Sequence, residues 1–272
     1  MMKCLLLCSV LLVCLIPRPG AAISVTSPGD LAAADFWAYV DATNGALSRI
    51  EDRGSSAVGV ETLHPVIGGI GVSGNLTAEN ATTAGGPATT VNANLTYSGA
   101  TAFDTSITLY SQVIFDLAAF GTGSQASVRI NGGGIGGVTG NFFGQFGQAS
   151  ATTSGYVTVY ETNATGGYGA IVDSWSIPSS FTDTVIDSVL TLDTSRLYKV
   201  IVRSQADIRL FNVDNFNLSA YMIADPVFTS ETAGVDVFVS PGASPVPLPG
   251  AVWLIGSGPL ALAGMAGWRK PA

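Results

Sequence analysis

Leu197-Tyr198-Lys199-Val200-Ile201-Val202-Arg203-Ser204-Gln205-Ala206-Asp207-Ile208-Arg209-Leu210-Phe211 is the stretch from which the fold is read. On either side of Ser204-Gln205, apolar and polar residues alternate with the period of two that buries one face of a β-strand. The short polar break between the two runs predicts a hairpin. Phe216 to Ile223 follows as a further strand. Upstream, Asp35–Val40, Ser106–Phe115, Ala126–Ile130, Tyr156–Glu161 and Thr184–Leu192 carry similar patterns, and Val235–Val239 closes the series. No long 3.6-residue period interrupts them. Strands at this spacing, with turn residues between, predict an all-β body: one antiparallel β-sandwich, jelly-roll-like.

The remaining body is less regular. Ile23–Val25 is expected to pair with the strand at Asp35, and Ala32–Ala34 to form a helical turn. Residues 63–100, rich in Gly, Ala, Thr and Asn, predict edge strands and loops with little core. The run Gly132-Gly133-Gly134-Ile135-Gly136-Gly137, continuing through Phe142-Phe143-Gly144-Gln145-Phe146-Gly147, predicts a long exposed loop or irregular hairpin.

Composition narrows the class. The 272 residues are 47% hydrophobic but only 11% charged, with 33 glycines. That mixture suits a β-rich exported protein better than a helical cytosolic enzyme. Between Ile23 and Ser244 lie seven basic and nineteen acidic residues, a net −12. So acidic a body has no electrostatic route to nucleic acid. The three cysteines, Cys4, Cys8 and Cys14, all fall in the N-terminal apolar run, which leaves the body without a disulfide framework or a thiol site.

Candidate chemistry is sparse. Gly132, Gly134 and Gly137 match the dinucleotide-binding spacing, but Val138-Thr139-Gly140 opens no helix after them. His64 is the sole histidine, and no nucleophile elbow accompanies it. Glu51, Asp52, Glu61, Glu161 and Asp173 could supply a glycosidase pair only if two converged across a cleft; solvated surface acids are the favoured reading. No cofactor is expected. A structural calcium could use Asp183, Asp187 and Asp193, or Asp214 with Asn212 and Asn215. Asn-x-Ser/Thr sites occur at Asn75, Asn80, Asn94, Asn163 and Asn217, a number that chance largely explains in a chain so rich in Asn and Thr. Tyr168, Trp175 and the group Phe142, Phe143 and Phe146 are candidates for stacking on sugar rings, against a core role for Trp175 and Tyr156.

The two ends carry targeting signals. Residues 1–22 read as a secretory signal helix: Lys3, an apolar run from Cys4 to Ile16, then Gly20-Ala21-Ala22. Residues 23–239 form the sandwich domain and 240–245 a linker, leaving 246–272 as a tail. From Gly250 to Trp268 there are 19 residues without a charge, enough for a transmembrane helix with Trp253 and Trp268 near its ends. Arg269-Lys270 is a basic stop that holds the C-terminus on the cytoplasmic side.

The stretch Val246-Pro247-Leu248-Pro249-Gly250-Ala251-Val252-Trp253-Leu254-Ile255-Gly256-Ser257-Gly258, with the span and basic end after it, resembles the C-terminal sorting tail of PEP-CTERM proteins. Leu248 stands where that family has its name-giving glutamate. The resemblance implies a Gram-negative exported protein that passes through the inner membrane, is recognised by an exosortase-type enzyme, and reaches the cell surface or medium in an exopolysaccharide or biofilm setting. The body also resembles, weakly, the β-sandwich ectodomains of that family, as in Val213-Asp214-Asn215-Phe216-Asn217-Leu218. The expected function is therefore a structural or adhesive, non-enzymatic surface protein. A carbohydrate-binding module of the same architecture and a secreted hydrolase are the alternatives.

Overall fold

The computed structural model describes residues 23–43, 50–54, 72–82, 86–143 and 148–243. The expected signal helix, sorting motif, transmembrane helix and basic stop, together with Glu61, His64 and Phe146, lie outside these residues. Among the described residues no helix is long and apolar enough to cross a membrane, and the helical structure is a single 3-10 turn, Pro28–Asp30.

Among the described residues, the body has ten antiparallel strands: β1 (Asp35–Thr43), β2 (Ile50–Gly54), β3 (Val72–Thr82), β4 (Pro87–Gly121), β5 (Gln125–Phe143), β6 (Gln148–Thr162), β7 (Tyr168–Ile177), β8 (Ser180–Asp193), β9 (Tyr198–Ser230) and β10 (Val235–Val239). Two of them, β4 and β9, are more than 30 residues long and pair with each other over nearly their whole length. The register between them shifts at Ser98, Phe103 and Thr105, and there the ribbon passes from one layer to the other. The front layer runs β2-β1-β4-β9-β6-β7, with β10 continuing the β1 edge of β4. It uses the second half of β4 and the first half of β9. The back layer runs β3-β4-β9-β5-β8 and uses the other halves.

The layers close on one core. Every second residue of the pairing segments points inward: Ile107, Leu109, Val113 and Phe115 with Val200, Val202 and Ile208 in front, and Leu76, Val91 and Leu95 with Leu218 and Met222 behind, all buried. Phe115 of the front meets Phe228 of the back edge-on, with centroids 5.8 Å apart. Burying each such side chain stabilises the fold by about 1.5–3 kcal/mol.

Three expectations are corrected. The break at Ser204-Gln205 is no hairpin, because β9 runs straight through it. Ser204 takes the inward phase, and its hydroxyl bonds across the core to the Thr89 hydroxyl (2.8 Å) and carbonyl (3.0 Å). A partner in the opposite layer thus removes the need for the polar pair to reach solvent. The glycine run is strand, not loop, from Gly132 to Phe143, within β5, which lies between β8 and β9; residues 144–147 lie outside the described residues. The missing side chains at Gly134 and Gly136 leave inner-face room that Ile177 and Met222 fill. A Cβ on Gly134 would lie 2.6 Å from Ile177 Cδ1, and one on Gly136 would lie 2.8 Å from Met222 Sδ. Residues 72–98, expected to add little core, supply β3 and half of β4, with Leu76, Ala78, Val91, Ala93 and Leu95 in the core. Smaller differences lie at the N-terminal end: Ser24 bridges Arg196 rather than β1, and the helical turn falls at Pro28–Asp30 rather than Ala32–Ala34.

A strap of residues 23–34 crosses one end of the front layer's outer face. Val25 and Leu31 pack there with Ala118 and Leu197. Asp116, almost fully buried, clamps the strap: it accepts from the Ala32 amide (2.9 Å) and from the Lys199 ammonium (2.8 Å). Beyond the strap, exposure on the outer face varies: Tyr110 and Gln112 are buried, Trp37 and Arg203 are half-buried, and Tyr156 and Phe211 are exposed.

Candidate functional site

Because Phe36 and Ala38 face the core, strand alternation turns Trp37 outward. The same rule turns out Tyr110, Gln112, Arg203, Gln205, Tyr156 and Tyr160. Cross-strand pairing sets Trp37 opposite Gln112, Gln112 opposite Arg203, and Arg203 opposite Tyr156. One row thus crosses four adjacent strands, β1, β4, β9 and β6. With strands ~4.8 Å apart, the row is about 14 Å long.

The row is tightly interlocked. Trp37 meets Tyr110 edge-on at 4.6 Å. The Arg203 guanidinium lies 4.7 Å from the centre of the Tyr110 ring. Gln112 Oε1 accepts from the Tyr110 hydroxyl and, at 3.3 Å, from Arg203 Nη2. A guanidinium stacked on an aromatic face gains roughly 0.5–1 kcal/mol at an exposed site. More important, it is fixed in one orientation before any ligand arrives. Tyr156 at the end of the row is 39% exposed.

Aromatic groups continue on both sides. Towards the strap, Tyr160 and Tyr168 meet edge-on at 5.1 Å. Burial raises the Tyr168 hydroxyl pKa above its ordinary value, and the charges of Tyr160, Asp35 and Asp116 add to the rise. In the other direction, Asp207 accepts from the Thr108 hydroxyl (2.8 Å) and the Gln205 amide (2.7 Å). Arg209 and the exposed Phe211 border a hollow of about 690 Å³ with Gln148, Ala149 and Ser150.

The residues singled out in the sequence are dispersed. Tyr168 joins this face. Trp175 is half-buried and packs against the core. Phe142 and Phe143 lie at the end of β5, with Phe142 opposite Phe216 in register, but their side chains are outside the described residues, as is all of Phe146. Of the calcium candidates, Asp187 is held by Arg129 and Asp193 by Arg196. Among the described residues no group of three or more His, Cys, Asp or Glu side chains could hold a metal ion. The dinucleotide-like glycines sit in mid-sheet, and two of them, Gly132 and Gly134, line a shallow hollow of about 330 Å³ with Val185, Ile223 and Asp225. Asn80, in one of the five glycan motifs, is fully buried. Sequence reading missed Trp37, Tyr110, Gln112 and Arg203 as a set. Phase alone could have found Trp37, but its partners depend on register.

No family model and no curated protein matches this chain. Among solved structures, similarity extends to TmCBM61 in complex with β-1,4-galactotriose (12% identity, 59% of this chain and 87% of that one, TM-score 0.19). It extends also to the enzymatically active domain of bacteriophage CBA120 tailspike protein 4 (13% identity, 66% and 19%, TM-score 0.17). A third is the structure of infectious bursal disease virus Gx strain (12% identity, 80% and 61%, TM-score 0.19). Overlaps so slight carry no argument about ligand or activity.

Proposed function

We propose that this chain is an exported, non-enzymatic surface protein whose sandwich adheres to polysaccharide through the front layer's outer face. One observation carries the reading: Trp37, Arg203 and Tyr156 reach the surface in one row and are braced from beneath by the buried Tyr110 and Gln112, a preformed strip of aromatic and planar polar groups. The C–H faces of sugar rings pack on aromatic surfaces, and their hydroxyls take hydrogen bonds from amide and guanidinium groups. A strip on consecutive strands suits an extended polymer better than a small molecule, which favours an enclosed pocket.

The architecture fits this role as a jelly roll. The inner strands follow its two-layer order, β4-β9-β5-β8 behind and β4-β9-β6-β7 in front, with β1, β2, β3 and β10 as additions. The tail at Val246–Gly258, through its likeness to PEP-CTERM tails, supplies the route: insertion by the apolar span, recognition by an exosortase-type enzyme, and display at the surface. Intact mass of the protein recovered from the cell surface or medium checks the route, since a chain ending near Pro249 is expected and a full C-terminus means a plain anchor.

Affinity electrophoresis of the full chain in polysaccharide-containing gels tests the binding reading. At least one polymer is expected to retard the protein. Trp37→Ala should reduce the retardation about tenfold, the loss of one buried aromatic contact worth ~1.4 kcal/mol. Val185→Gln, on the exposed back face, should leave it unchanged. Retardation unaffected by Trp37→Ala, or absent with every polymer, overturns the reading.

A further inference from the structure

The charges on the adhesive face point to the class of polymer. Five cations have described side chains. Arg129 pairs with Asp187 and Glu231, Arg196 with Asp193, and Lys199 with Asp116. The other two, Arg203 and Arg209, have no carboxylate partner among the described residues, and both lie on the outer face of the front layer, on β9. In a body that carries nineteen acids against seven bases, neutralising a cation is easy. Three of the five are neutralised, and the two left open share one face with the aromatic strip.

Arg203 is also built to read a carboxylate. A guanidinium has five N–H donors in a planar fork. Gln112 occupies one of them, and the Tyr110 ring fixes the plane. Fork-to-carboxylate pairing is bidentate and about twice as strong as a neutral hydrogen bond. The nearest acid on β9, Asp207, is already taken by Thr108 and Gln205. Asp116, further along, is held by Lys199 and the Ala32 amide. The net −12 of the body opposes any polyanion at long range. At about 0.15 M salt, however, the Debye length is ~8 Å, and a contact at hydrogen-bond distance outlasts that repulsion.

We infer that the face selects acidic polysaccharides, with Arg203 receiving the sugar carboxylate between Trp37 and Tyr156 and Arg209 meeting a further carboxylate along the same chain. The inference rests on the reading of this face as a polysaccharide platform.

Matched polymers separate the two. Polygalacturonate, alginate and hyaluronan would each be compared with their own methyl esters at 0.15 M salt, using the full chain. The esters keep the backbone and remove the charge. At least one acid polymer is expected to bind about tenfold or more tighter than its ester. Arg203→Gln should abolish that ratio, weakening acid binding about tenfold more than ester binding. Arg203→Lys, which keeps the charge but loses the fork, should recover only part of it. A matching thermal midpoint shows that each variant is folded. Equal binding of acids and esters, or an unchanged ratio in Arg203→Gln, overturns the acidic selectivity while the platform stands. Retention of none of the six polymers overturns both.

Discussion

The two outer faces of this sandwich are built by the same two strands, yet they differ in kind. One half of β4 and β9 gives the front Tyr110, Gln112, Arg203 and Arg209; the other half gives the back Asn92, Asn94, Asn217 and Ser219. Aromatic rings lock together in front. Behind, glycines of β5 leave a shallow floor beside the exposed Val185 and Val189. A strap crosses the front face at one end. The two faces share only the β4–β9 ribbon; β1 and β6 flank it in front, and β3 and β5 behind, so one sandwich presents two chemically distinct faces. This contrast is what experiment should try to break.

The largest effect is expected where the back layer depends on having no side chain. A Cβ at Gly134 would overlap the Ile223 carbonyl oxygen as well as Ile177. Neither the neighbouring strand's backbone nor a core isoleucine can retreat cheaply, so Gly134→Val should cost roughly 3 kcal/mol or more, or prevent folding. Denaturant midpoints measure it. The outward Thr158 of the front layer tolerates the same valine within ~0.5 kcal/mol. Equal costs at both sites would mean that the glycine run is a composition effect and not a packing requirement.

Next comes the clamp on the front. Replacing Lys199 by Met leaves the Asp116 carboxylate buried beside the Ala32 amide without its cation. Breaking such a pair costs about 3–5 kcal/mol, and the partial exposure of Lys199 places the expectation near ~3. Asp116 also shares bonds with Ser240, its amide donating to the serine hydroxyl at 2.7 Å and its carbonyl accepting from the serine amide at 2.9 Å. Hydrogen exchange should therefore show residues 23–34 and 240–243 loosening together in Lys199→Met. Loosening of the strap alone would mean that residues 240–243 hold independently of it.

How much of this was legible beforehand depended on what each feature needed to know. The individual strands were legible because alternation is local. The continuity of β9 was not, because Ser204 and Gln205 resemble a turn until Thr89, 115 residues away, is placed opposite. Nor was the strand nature of Gly132–Gly137 legible: glycine reads as a breaker, and only the positions of Ile177 and Met222 show why it is required. The face was half legible. Trp37 is outward once Phe36 is inward, but Tyr110 and Arg203 join it through a pairing register that no local pattern encodes. Trp175, conspicuous in the sequence, packs against the core for the complementary reason: its phase in β7 is the inward one.

The smallest expected effect sharpens the asymmetry at the strap. Asp30 closes the 3-10 turn by accepting from the Thr26 amide (2.7 Å), the Ser27 amide (2.8 Å) and the Thr26 hydroxyl (3.0 Å). Those bonds hold its carboxyl pKa below the ordinary aspartate value, the two backbone amides foremost. A carboxyl with a lowered folded pKa contributes stability above its unfolded pKa and loses it as pH falls through the folded one. The strap should therefore keep its turn at neutral pH and relax only below about pH 4. Asp30 is fully exposed, so the global midpoint should hardly move. The measurement is local: carboxyl-carbon NMR shifts of Asp30 followed through acid, with the Thr26 and Ser27 amides as reporters. Coincident movement of all three, while the back-face amides of Asn92 and Asn94 stay still, would show that acid loosens the cover of one face and leaves the other untouched. Movement of both faces together would mean that the strap has no independence from the sandwich it crosses.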